Sequence, residues 1–153
     1  MKRILFVCHG NICRSTMAQF VFLHLAKQQG RAGEFHVDSA GVSAEELGNP
    51  VHPGTRRKLA QMGIACGEHR ARVLRKEEYS EFDLLIGMDD ANLRGMRRIL
   101  GGDPDGKVHH LLEYAGRPGE SIADPWYTGN FEDTFADVMA GCQSLLKHLT
   151  EKD

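Results

Sequence analysis

Cys8-His9-Gly10-Asn11-Ile12-Cys13-Arg14-Ser15 follows the apolar run Ile4-Leu5-Phe6-Val7 and leads straight into an amphipathic segment over residues 16–29. That order predicts a strand, a tight loop and a helix in succession. The first turn of a helix presents unpaired backbone N–H groups and the positive end of the helix dipole, so an anion is stabilised there without a metal. Gly10 frees the turn, and Asn11 tolerates the left-handed conformation that points successive N–H groups inward. A cysteine at the entrance of such a loop is favoured as the thiolate, which makes Cys8 the candidate nucleophile. Six residues on, Arg14 supplies a planar fork of donors that can grip two phosphate oxygens and neutralise charge developing during transfer. Ser15 can donate a hydroxyl hydrogen bond to the sulfur. An isolated Cys-x5-Arg has many chance matches, and its plain reading is a buried strand-end cysteine beside a surface arginine. The strand before it, the Gly and Asn within it, and the Ser and helix after it point instead to a phosphate-handling loop.

Beyond the loop, Met17, Ala18, Val21, Phe22 and Leu25 lie on one helical face suited to packing on a sheet, and Gly30 ends that helix. Phe35-His36-Val37 reads as a second strand whose C-terminal end delivers Asp38 and Ser39 beside the first loop if the strands are parallel. Residues 41–53, rich in Gly, Glu and Pro, read as a surface loop and a candidate wall of the site. A second helix is expected over 54–62 and a short third one over 75–81. Residues 82–88 form an apolar run typical of a strand buried on both faces, and Asp89-Asp90 then opens a helix carrying Leu93, Met96, Ile99 and Leu100. Residues 107–112 give a fourth strand, 113–129 an irregular stretch, and the stripe from Phe131 through Leu149 a final helix. Strands alternating with helices imply parallel pairing and a three-layer α/β sandwich with ligands at the carboxyl ends of the strands.

At 153 residues the chain reads as a single domain over 1–153, and its net charge of −2 gives no basic field for nucleic acid. No run approaches a membrane span, and Met1-Lys2-Arg3 leads into only four strongly apolar residues before Cys8, too few for a signal-peptide core. A cytoplasmic location is expected. The four cysteines, Cys8, Cys13, Cys66 and Cys142, have neither zinc-ribbon spacing nor the density of a secreted disulfide scaffold. No metal and no cofactor are expected.

The loop resembles the C-x-G-N-x-C-R-S signature of the low-molecular-weight protein tyrosine phosphatases. Val37-Asp38-Ser39-Ala40-Gly41, Gly48-Asn49-Pro50, His69-Arg70-Ala71-Arg72, Met88-Asp89-Asp90-Ala91-Asn92-Leu93 and Asp124-Pro125-Trp126-Tyr127 are each similar to a family block, in family order, so the resemblance spans nearly the whole chain. It implies a four-stranded parallel sheet flanked by helices on both sides, with the phosphate loop after the first strand. It also implies hydrolysis of phosphotyrosine proteins or aryl phosphates, with a tyrosine kinase among the candidate substrates. Cys8 would form a cysteinyl-phosphate, Arg14 hold the phosphoryl group, and Asp124 act as general acid. His9, Gly10, Asn11, Ile12, Cys13 and Ser15 would form the phosphate loop, and Asn11, Ser15, Ser39 and His69 its hydrogen-bonded support, with Asp89 in a further supporting role. Trp126 and Tyr127 would wall the substrate.

Three departures from the family pattern stand out: Thr16 where Pro is usual, Trp126 where Tyr is usual, and Glu45 on the pocket rim where many members place an aromatic or apolar residue. A reversible Cys8–Cys13 disulfide is sterically conceivable, and the resemblance implies it. Arsenate reduction is a rival reading, but its relay cysteines would form a close pair and Cys66 stands alone. Arginine phosphatase activity is another, and that branch carries Thr where this chain has Ile12. A catalytically idle phosphotyrosine-binding module would not need Cys8, Arg14 and Asp124 together.

Overall fold

In the computed structural model, which describes residues 1–151, four strands form one parallel sheet in the order β2-β1-β3-β4. They are β1 (Lys2–Cys8), β2 (Phe35–Gly41), β3 (Leu84–Gly87) and β4 (Val108–His110). Alternate side chains of β1 point to opposite faces, and both faces are covered: Ile4, Phe6 and Cys8 enter one apolar cluster, Leu5 and Val7 another. On the first face lie α1 (Arg14–Gln28) and the long α6 (Phe131–Thr150), which pack on each other. On the second lies α4 (Asp90–Leu100), whose Leu93, Met96 and Leu100 pack against Leu5, Val7 and Leu85. The shorter helices are α2 (Pro53–Gln61), α3 (Glu78–Glu81) and α5 (Pro125–Thr128). Among the described residues no helix is long and apolar enough to cross a membrane.

The three-layer α/β sandwich expected from the alternation is therefore the observed fold. From β1 the chain moves to β2 on one side of the sheet and later returns to β3 on the other. The carboxyl end of β1 is thus the point where the strand order reverses, the place where parallel sheets open a crevice for ligands. The loop over residues 9–13 occupies it.

Several local expectations need correction. Asp38 and Ser39 lie inside β2, which runs on to Gly41 because it pairs with β1 along its whole length. The third helix covers only Glu78–Glu81, since residues 72–75 are spent on contacts to Gly41 and Glu78. The fourth strand stops at His110: Leu111 and Leu112 turn into a 3-10 helix (Leu111–Ala115) and bury themselves in the α6-side core. The stretch read as irregular also contains α5, a single turn that Asp124 caps.

Candidate active site

Asn11 has a φ of 60°, the single non-glycine residue with positive φ among those described, and it bends the loop so that the chain can enter α1. The side chain that holds this bend is fully buried and fully bonded. Asn11 Nδ2 donates to Ser15 Oγ at 2.8 Å and to Ser39 Oγ at 3.0 Å. Its Oδ1 accepts from the Arg72 backbone N–H at 3.1 Å and from His69 Nε2 at 2.8 Å. Because an amide oxygen only accepts, His69 carries its proton on Nε2. Burial pulls the His69 pKa below its ordinary value, against Asp38 and with a further contribution from Arg72. Ser39 Oγ in turn donates to Gln19 Oε1 at 2.6 Å. All four support residues expected from the resemblance are thus brought together.

Cys8 Sγ lies 3.1 Å from Ser15 Oγ. That oxygen also accepts from Asn11, and its own hydrogen can turn to the sulfur when Cys8 is the thiolate. Cys13 precedes the first turn of α1 without a side-chain cap, which leaves the helix N–H groups free to face an anion. Burial first, then Cys8 and Asp124, push the Cys13 thiol up to about 12, and neither cysteine of the loop is in a disulfide. Thr16, at the departure from Pro, returns its hydroxyl to Ile12 O at 2.9 Å and so ties the loop to the helix it opens.

Arg14 is buried and is held between two aspartates that each cap a helix. Asp89 Oδ1 accepts from the Asn92 N–H of α4 at 2.7 Å, and its Oδ2 accepts from Arg14 Nη1 at 2.7 Å. Asp124 Oδ1 accepts from the Trp126 N–H of α5 at 3.1 Å, while its Oδ2 lies 3.5 Å from Arg14 Nη2. Ile122 O accepts from Nη1 at 2.9 Å, and the Ile122 N–H donates to Met88 O at the end of β3. The guanidinium Nε, buried, has no partner within the protein. Burial opposes the Arg14 charge, but Cys8, Asp89 and Asp124 outweigh it and hold its pKa above the ordinary range.

Above this floor opens a cleft lined by Cys8, His9, Gly10, Ile12, Cys13, Glu45, Glu46, Asp124, Trp126 and Tyr127. One wall is the loop after β2, strapped to the phosphate loop by the Val42 N–H to Cys8 O, Ser43 N–H to His9 O and His52 N–H to Ile12 O. Gly41 allows that closeness, for a Cβ there would meet His9 O at 2.7 Å. The other wall is Trp126 and Tyr127, with His52 edge-on to Trp126 at 5.7 Å between ring centroids. Every rim residue expected from the sequence lines the cleft.

Sequence reasoning missed the layer behind the loop. Arg72, whose backbone holds Asn11, sends its guanidinium to Asp38 Oδ2 at 2.9 Å and to both oxygens of the buried Glu78 at 2.8 Å. Glu46 was also missed, although it stands next to Glu45 and lines the same cleft. Among the described residues no three His, Cys, Asp or Glu side chains gather as a metal site would require.

A sequence model described as low molecular weight phosphotyrosine protein phosphatase matches residues 3–153. The chain belongs to that family. Its relatives include the low molecular weight protein-tyrosine-phosphatase YfkJ of Bacillus subtilis, 37% identical over an alignment of 153 positions that covers 99% of this chain and 98% of that protein. The crystal structure of YfkJ superposes with a TM-score of 0.95 at 36% identity, covering 100% of this chain and 97% of the other. A Drosophila arginine phosphatase structure also matches, at 30% identity with a TM-score of 0.87 and 100% coverage of both chains. The low-molecular-weight phosphatase fold thus holds over the full length, and the protein is an enzyme of the phosphatase class.

Proposed function

We propose that this phosphatase hydrolyses phosphotyrosine through a cysteinyl-phosphate intermediate. The observation that carries this reading is the meeting of Cys8, Asp124 and the free N-terminus of α1 at one cleft, with Arg14 buried beneath it. In the first step the Cys8 sulfur attacks phosphorus in line, the bond to the tyrosine oxygen breaks, and Asp124 gives that oxygen a proton. The loop N–H groups and Arg14 hold the three remaining oxygens as charge redistributes, and the Ser15 hydroxyl steadies the sulfur. In the second step water attacks phosphorus, Asp124 takes its proton, and Cys8 leaves. Trp126 and Tyr127 extend the cleft to a depth suited to an aryl ring. The Drosophila relative is named an arginine phosphatase, but the branch with that activity resembles this loop with Thr where the cleft here has the apolar Ile12.

Leaving-group dependence tests the assignment. A phenol has a pKa near ~10, so its departure needs the proton from Asp124, whereas a nitrophenol departs without one. Asp124→Ala is expected to slow phenyl phosphate by about 10²–10⁴-fold and an acidic aryl phosphate far less. Equal losses on both substrates would place Asp124 in a structural role, as the cap of α5.

A further inference from the structure

The mouth of the cleft carries the opposite sign to its floor. Glu45, Glu46 and Asp124 line it, and neither lysine nor arginine is among the ten residues that do. The two glutamates are held differently. Glu46 Oε2 accepts from Asn49 Nδ2 at 2.6 Å, and its stem packs over Gly10, where a Cβ would come within 3.2 Å of Glu46 Cγ. The Glu45 side chain is 73% exposed, and its carboxylate reaches a ring nitrogen of His9, itself half exposed, at 3.3 Å. Across the mouth Trp126 and Tyr127 are 56% and 83% exposed. A held carboxylate, an exposed carboxylate already engaged with a nitrogen donor, and open aromatic surface together suit an ammonium or guanidinium group.

We propose that this mouth selects phosphotyrosine flanked by lysine or arginine, with Glu45 exchanging His9 for the substrate's cation and Glu46 as a second, stationary carboxylate. The inference rests on the phosphotyrosine reading above. A phosphorylated side chain must carry its negative charge past these carboxylates to reach Arg14 and the helix N-terminus. A basic neighbour offsets that repulsion, and an acidic neighbour adds to it. Exposed charge pairs are weak and salt-sensitive, so the outcome is a graded preference in rate rather than an absolute requirement.

The test uses three phosphotyrosine peptides that differ in the residues on either side of the tyrosine, Lys, Gln or Glu. Values of kcat/KM are measured for the wild-type enzyme, Glu45→Gln, Glu46→Gln and the double variant, at low and high salt. The expected order for the wild-type enzyme is Lys, Gln, Glu, with the Lys-to-Glu ratio about tenfold at low salt. Each single variant should lower that ratio, and the double variant or high salt should bring it near unity. Equal rates on the three peptides, or a ratio that survives in the double variant, would overturn the selectivity and leave the tyrosine reading standing. If none of the peptides is hydrolysed and phosphoarginine is, the tyrosine reading fails and this inference falls with it.

Discussion

Asn11 and Glu45 sit on facing loops of one cleft, yet they are held in opposite ways. Asn11 is fully buried and uses all four of its amide hydrogen-bonding positions. Glu45 is mostly exposed, and its carboxylate has an exchangeable partner in His9. A buried polar group left unpaired costs about 1–3 kcal/mol, so each bond around Asn11 restrains the others and the loop has one low-energy shape. Around Glu45 water can replace any partner, so that residue can trade contacts with whatever arrives. The floor is built for a single reacting geometry and the rim for choosing among substrates. Substitutions in the floor should therefore change chemistry by orders of magnitude, and those in the rim should change preference by small factors.

The largest effect is expected at Cys8. Cys8→Ser should abolish turnover while inorganic phosphate still binds, because the loop N–H groups and Arg14 remain. Calorimetry with phosphate and a steady-state assay read the two halves separately. Measurable hydrolysis by that variant, once contaminating enzyme is excluded, would remove Cys8 from the nucleophile's role.

A smaller loss is expected one layer out, at Arg72. Its side chain never reaches the cleft, but it clamps Asp38 and Glu78 while its backbone N–H holds Asn11. Arg72→Met frees that segment, and a slight misplacement of the loop should lower kcat by about ten- to hundredfold with a lesser change in KM. The variant also leaves Glu78, 1% exposed, without its bidentate guanidinium, so that it keeps only Arg75, whose N–H donates at 3.0 Å and whose Nε lies 3.7 Å away. That costs up to about 3–5 kcal/mol of stability, less the share that water screens at the partly exposed Arg72. Adding Glu78→Gln removes the stranded charge and restores stability without restoring the clamp. If kcat then returns to the wild-type value, the clamp serves the fold alone and the contrast between floor and rim does not extend to this layer.

The two regions also differed in how far the sequence revealed them. The loop, its strand and its helix were legible because a ligand-binding turn needs particular residue types at close spacing, and Gly10, Asn11, Arg14 and Ser15 fall within six positions. The clamp was not, because Asp38 lies 34 positions before Arg72 and Glu78 six after it, with no motif to join them in a chain of which 26% is charged. Such residues ordinarily form solvated faces, and only the pairing of Arg72 and Leu74 with Gly41 at the end of β2, together with the turn before α3, brings these three together. The error at β4 has a similar origin. Leu111 and Leu112 are apolar enough for a strand, but burial against α6 is reached there by a 3-10 turn, and an apolar run does not distinguish the two. α5 escaped notice because it is one turn long and depends on the Asp124 side chain.

Cys13 sharpens the contrast from inside the floor, and its effect is read in recovery rather than in turnover. Peroxide would oxidise Cys8 to a sulfenic acid, and attack by the Cys13 sulfur would expel water and close a disulfide that added thiol can reopen. Attack requires the Cys13 thiolate, and burial, then Cys8 and Asp124, push that thiol up to about 12. The thiolate is therefore scarce at neutral pH and grows about tenfold with each pH unit below that value. Oxidation of Cys8 removes its negative charge, the second cause of the shift, so capture becomes easier once the damage it repairs has occurred. The fraction of activity that thiol restores after a peroxide pulse should consequently rise from neutral to mildly alkaline pH in the wild-type enzyme. In Cys13→Ser it should stay low at every pH, because the sulfenic acid is left to oxidise further. Equal recovery in the two enzymes would mean that the floor holds Cys13 too firmly for its sulfur to reach Cys8.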